Sequence, residues 1–206
     1  MNRNTPHAIR RPGWAAGFTL TELLVVIAVI GILAGLIFGA VPKVIERAKI
    51  TNTRALIHSI DVGLEAFKND FGRLPYNSSG QVTSDQHLIR LWLLGIKDDG
   101  EPDDTGANAV RVNQFWGGPY VDVQYNKHVD KDNDYLFIDA WRQPLCFQMP
   151  EDTVKPIFNV DKWDIWSLGP DEKGSTNMTA FQSGTYEQRR KDFKAAADNG
   201  DDPGNW

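Results

Sequence analysis

The sequence has 206 residues, 22 Lys and Arg against 27 Asp and Glu, and a formal net charge of −5 at pH 7. That length suits one domain, or one domain with an appendage. A net negative chain with a pI near 5.3 speaks against a nucleic-acid partner, whose phosphates call for a surplus of Lys and Arg. The single cysteine, Cys146, excludes an internal disulfide and a CxxC zinc site.

Residues 1–17 carry Arg3, Arg10 and Arg11, no acid, and turn formers at Pro6, Pro12 and Gly13, which reads as a short basic leader. From Leu23 to Val41 there are 19 consecutive uncharged Leu, Val, Ile, Ala, Gly and Phe residues, the length of a membrane-crossing helix. A secretory signal cut near Ala40 fits less well, because its apolar region spans about 7–15 residues and its cleavage site wants small side chains where Phe38 stands. Lys43, Arg47 and Lys49 follow the span much as the arginines precede it, so charge alone leaves its orientation open.

Gly31, Gly35 and Gly39 recur every four residues, a small-residue face suited to helix–helix contact. Pro42 lacks the backbone donor a helix would use there, and a kink or local unwinding is expected. Beyond it Leu56, Ile60, Leu64, Phe67 and Phe71 recur at helical spacing with charges between them, and Gly72 and Pro75 end the pattern. A helix from Phe18 to Phe71 would be roughly 80 Å long at 1.5 Å per residue.

A second helix is predicted over Asp85–Leu94, with Ser84 as N-cap, Leu88, Leu91 and Trp92 inward and Gly95 as its stop. Residues 98–108, acid-rich and broken by Gly and Pro, read as an exposed loop. Short β-like runs follow at Tyr120–Val123, Tyr135–Ile138, Leu145–Met149 and Trp163–Leu168, predicting one small antiparallel sheet. The alternating acids Asp130, Asp132 and Asp134 lack the Gly and the distant Glu of an EF-hand loop and read as a surface turn. Cys146 sits in an apolar run, as a core residue does. No GxSxG, GxxxxGK[ST], HExxH or GxGxxG occurs, and His7, His58, His87 and His128 are scattered, so the sequence does not read as an enzyme.

The junction Ala15-Ala16-Gly17-Phe18-Thr19-Leu20-Thr21-Glu22-Leu23 resembles the processing site of type IV prepilin-like proteins. The resemblance implies cleavage after Gly17 by a prepilin peptidase and N-methylation of Phe18. A carboxylate at the end of a membrane helix is expensive and calls for a partner. The resemblance implies that Glu22 meets the new amine of a neighbouring subunit, so that processing enables assembly; a Glu reaching to the headgroups is the alternative. Loss of the leader removes three arginines and no acid, taking the formal charge from −5 to −8 before the new amine is counted.

Two later stretches, Asp139-Ala-Trp-Arg-Gln-Pro-Leu145 and Trp163-Asp-Ile-Trp-Ser-Leu-Gly-Pro-Asp171, resemble the turn and the strand-loop of type II secretion major pseudopilins, as does the acidic Asp201-Asp-Pro-Gly-Asn-Trp206 ending. This implies an α+β, type IV pilin-like fold, with a long N-terminal helix packed on a small antiparallel sheet. Its parts would be a leader 1–17, a transmembrane and assembly helix 18–41, an amphipathic helix 42–75 and a periplasmic α+β domain 76–206.

The resemblance further implies a calcium ion held by the Leu168 carbonyl and the carboxylates of Asp171, Asp201 and Asp202, although an insertion over 172–200 separates the acids where the family loop is short. A solvated acidic tail, or a clamp formed by the helix-prone Tyr186–Ala197, is the alternative. The function implied is that of a structural subunit of a periplasmic pseudopilus, anchored by one pass in the inner membrane. Its partners would be other copies joined through their N-terminal helices, an assembly ATPase, an inner-membrane platform, minor pseudopilins and an outer-membrane secretin. A type IV pilin or minor pilin in adhesion or DNA uptake, and a membrane-anchored periplasmic binding module, are the other classes compatible with the sequence.

Overall fold

The computed structural model describes residues 17–104, 110–132, 134–150 and 162–170, together with Pro156, Phe158, Asn159, Lys191, Pro203 and Gly204. The chain divides into two compact units, Met1–Val44 and Ile45–Trp206. Helix α1, Leu20–Phe71, contributes to both. It is continuous through Pro42, so the local unwinding expected there does not occur. A proline removes one rung of the hydrogen-bond ladder, and the Leu, Ile, Val and Ala residues around it keep the rest.

In the first unit Leu24, Ile27, Ile30, Leu36 and Phe38 are all exposed. This stretch of α1 is long and apolar enough to cross a membrane. Beside Gly31 and Gly35 there is open space where a side chain would stand, which leaves both glycines accessible to a close-packing helix.

In the second unit α1 buries one face. Leu56, Ile57, Ile60, Leu64 and Phe67 enter the core, each contributing about 1.5–3 kcal/mol relative to exposure. Phe71 stacks on Phe67 at 4.4 Å between ring centroids. The helix stops where the sequence predicts, because Gly72 takes φ 69° and its N–H bonds to the Lys68 carbonyl at 2.8 Å.

Helix α2 spans Gln86–Leu94 and ends at Gly95, in the left-handed conformation with its N–H on the Leu91 carbonyl. Its N-cap is Asp85, not Ser84, with the Asp85 carboxylate accepting from the His87 N–H. The Ser84 hydroxyl accepts instead from the Met149 N–H, 65 residues away in sequence. The inward face also differs from the expected one. Ile89, Arg90, Trp92 and Leu93 are buried while Leu88 and Leu91 are only half-buried.

Arg90 is accommodated because it donates to the Lys97 and Asp134 carbonyls at 3.0 and 2.7 Å and to the Asp98 carboxylate. Desolvation, the largest influence, raises the Asp98 pKa, but the hydrogen bonds and charges of Arg90 and His87 together bring it below the usual range.

Among the described residues two two-stranded antiparallel sheets stand where one was expected. Strand β1, Val129–Asp130, pairs with β2, Leu136–Phe137, with Val129 opposite Phe137. Strand β3, Cys146–Gln148, pairs with β4, Asp164–Trp166, with Phe147 opposite Ile165. Cys146, Trp163 and Trp166 are buried, as their apolar surroundings predict.

Tyr120–Val123 is not a strand. It lies across α1 at Gly63, where an added Cβ would come within 2.5 Å of Val121 Cγ2. Tyr120 bonds through its N–H to the Leu93 carbonyl and through its hydroxyl to Asp70, 2.8 Å in each case. Burial and the Asp70 carboxylate push the phenol up to about 12, against the opposing Gly117 N–H.

Candidate functional site

Helix α1 begins at a reciprocal cap. Thr19 Oγ1 accepts the Glu22 N–H at 3.2 Å, and Glu22 Oε2 accepts the Thr19 N–H at 2.8 Å and the Thr19 hydroxyl at 2.7 Å. This is a capping box, and its signature, Thr at the cap and Glu three residues on, is legible in Thr19-Leu20-Thr21-Glu22. Reading Glu22 only for a membrane partner overlooks it. Phe18 and Glu22 line one shallow hollow with Thr21, Val25 and Val26, and the Phe18 side chain is exposed. Gly17 precedes it in an irregular segment.

A second centre forms around Asp139, a residue that sequence reading places in a turn without a role. Its carboxylate is buried. Oδ1 accepts the Trp141 and Gln143 N–H groups, each at 2.8 Å, and Oδ2 accepts the Ser167 hydroxyl at 2.6 Å. Ser167 Oγ in turn accepts the Gly169 N–H at 2.9 Å, which closes the loop that contains Leu168. Thr53 of α1 accepts the Ala140 N–H at 3.1 Å, tying the turn to the helix.

The end of the chain returns to this loop. The Ser167 N–H donates to the Pro203 carbonyl at 2.9 Å, and Trp166 forms an antiparallel bridge with Gly204. Among the expected calcium ligands, Leu168 is half-buried at this junction, while Asp171, Asp201 and Asp202 lie outside the described residues. Among the described residues no group of three His, Cys, Asp or Glu side chains is placed to hold a metal. Asp130 of the alternating acids is an ion-pair partner of Arg142, at 3.0 Å, and its Oδ1 also accepts the Asp132 N–H, as a surface turn requires.

Comparison with known proteins bears on the first of these centres and on the chain at large. Residues 15–38 match the prokaryotic N-terminal methylation motif. Over 164 residues, 79% of this chain and 89% of the relative, the sequence is 28% identical to the type II secretion system core protein G of Pseudomonas aeruginosa. No solved structure matches the chain.

Among the described residues the methylation motif stands at the head of the one helix long and apolar enough to cross a membrane, followed by an α+β unit, as in a single-pass membrane-anchored protein. Along most of its length the chain is similar to a pseudopilin of the type II secretion kind.

Proposed function

We propose that the chain is a structural subunit of a periplasmic pseudopilus that supports protein export by type II secretion. The observation that carries this is the joint occurrence, in one chain, of the methylation motif over 15–38 and similarity to core protein G along most of both lengths. A prepilin peptidase cuts between Gly17 and Phe18 and methylates the new amine. The subunit then leaves the inner membrane and stacks through α1 against other copies.

An assembly ATPase, an inner-membrane platform, minor pseudopilins and a secretin are the partners of this reading, with residues 45–206 on the periplasmic side. Deleting the gene and comparing secreted proteins tests it. Specific folded proteins should accumulate in the periplasm and be restored by the full-length chain, and an unchanged secretome with normal surface pili lost would favour the pilin alternative.

Calcium belongs to the same proposal. The donor types suit a hard cation that prefers carboxylate and carbonyl oxygens. Pro203, adjacent in sequence to Asp202, is hydrogen-bonded to the residue before Leu168, which supports a ligand set drawn from both segments. Three carboxylates brought together there would repel one another until a cation neutralised them. Ca²⁺ binding the folded form alone would then stabilise it by mass action, by about 2.7 kcal/mol at a hundredfold excess over its Kd. Melting the 45–206 unit with calcium and with chelator should show the higher Tm with calcium, and Asp171→Ala should abolish the difference. Identical curves for the wild type would leave the acids as a solvated tail.

A further inference from the structure

A pocket of about 370 Å³ in the Ile45–Trp206 unit lies between α1, the turn before β1 and the Asp139 turn. Lys49, Asn126, Lys127, His128 and Arg142 line it. Such a gathering of positive charge is notable in a chain that carries a surplus of acids. Among the described residues Lys49 and Lys127 have no acidic partner in an ion pair. Lys49 instead stands over the Trp141 ring at 5.9 Å.

Arg142 is paired with Asp130, yet its side chain is still more than half exposed. Asp139, the acid at the pocket wall, directs its oxygens to the Trp141, Gln143 and Ser167 donors. His128 Nδ1 accepts the Gln124 N–H at 3.3 Å, so the ring proton sits on Nε2 and the neutral ring is a donor there. The lining is therefore built to receive an anion, and its Leu56 and Ile138 floor lowers the dielectric around it.

The same unit displays a matching ligand. The turn over 98–104 exposes Asp99, Glu101 and Asp104. Its backbone is fixed, with the Lys97 N–H on the Glu101 carbonyl and the Gly100 N–H on the Lys97 carbonyl, both at 2.9 Å. Asp99 Oδ1 also accepts the Glu101 N–H at 2.9 Å. Turn and pocket share no residue. Two complementary surfaces at different places on one subunit give a head-to-tail contact, which extends copies into an open filament instead of closing a dimer.

We propose that the Lys49–Lys127–Arg142 pocket receives the acidic 98–104 turn of a second copy of this chain, as an electrostatic contact between successive subunits. This rests on the subunit reading above. The test uses the full chain assembled in cells. Lys127→Cys combined with Glu101→Cys should give a ladder of covalent oligomers with a short bis-maleimide, and either cysteine alone should give none, Cys146 being buried.

Lys127→Glu and Glu101→Lys should each lower fibre yield several-fold with an unchanged melting temperature, and together they should restore it. Normal fibres with no ladder, or charge reversals that the double variant does not rescue, overturn the contact while leaving the subunit reading intact. An unsubstituted chain that forms no fibre overturns the subunit reading itself.

Discussion

Glu22→Ala is expected to be processed normally and to assemble at least tenfold less. On the proposed reading the scissile bond lies between Gly17 and Phe18 and is untouched, so cleavage and methylation should proceed. The assembled state, by contrast, loses the carboxylate that would neutralise a neighbour's terminal amine in a low-dielectric setting. Removing one partner of an ion pair held away from water leaves the other charge uncompensated, which is the basis of the expected loss.

The capping box supplies a control. Glu22 also holds the Thr19 N–H and hydroxyl, a capping role that Gln can largely fill. Glu22→Gln should therefore keep the start of α1 and still assemble poorly. Pull-down of cross-linked fibres, with intact mass to verify processing, measures both. Full assembly by the Gln variant would reduce Glu22 to a helix cap.

The largest effect on stability is expected at Trp163. This side chain is fully buried. Its Nε1 donates to Asp61 of α1 at 2.8 Å, and the ammonium groups of Lys162 and Lys68 lie 5.7 and 6.0 Å from its ring. Trp163→Ala removes the ring between β4 and the helix and should cost about 3–5 kcal/mol, lowering the Tm of the 45–206 unit by roughly 10 °C. Trp163→Phe keeps most of the apolar volume but loses the bond to Asp61, with a loss of about 1–2 kcal/mol. Thermal unfolding followed by circular dichroism measures both, and an unchanged Tm for the Ala variant would contradict the packing described.

The parts of this fold that were legible in the sequence are those whose cause is local. The end of α1 at Phe71 follows from apolar spacing and from a glycine able to take φ 69°, and both are visible in a dozen residues. The end of α2 at Gly95 is of the same kind. What was not legible depends on distant partners. Ser84 and Asp85 are both good cap residues, and the choice between them is made by Met149, whose N–H takes the serine. Arg90 is charged and yet buried, because two carbonyls and a carboxylate from other segments meet it.

The same division holds for the candidate centres. Gly17, Phe18 and Glu22 fall within six residues and stand out at once, and the Thr19 cap that shares Glu22 is as local but is hidden by the stronger membrane signal. Asp139 is different, since its partners Trp141 and Gln143 are near while Ser167 is 28 residues away. A strand of two residues such as Val129–Asp130 has no periodicity to read. Tyr120–Val123, with the alternation of a strand, is diverted by the close approach that Gly63 permits.

The intact mass and N-terminal peptide of the protein purified from its native membrane test the central claim most directly. The mature chain should begin at N-methyl-Phe18, and replacing Gly17 with a bulkier residue should leave the leader attached. A chain that begins near Ala40, or one that retains residues 1–17 unmethylated in the wild type, would contradict it.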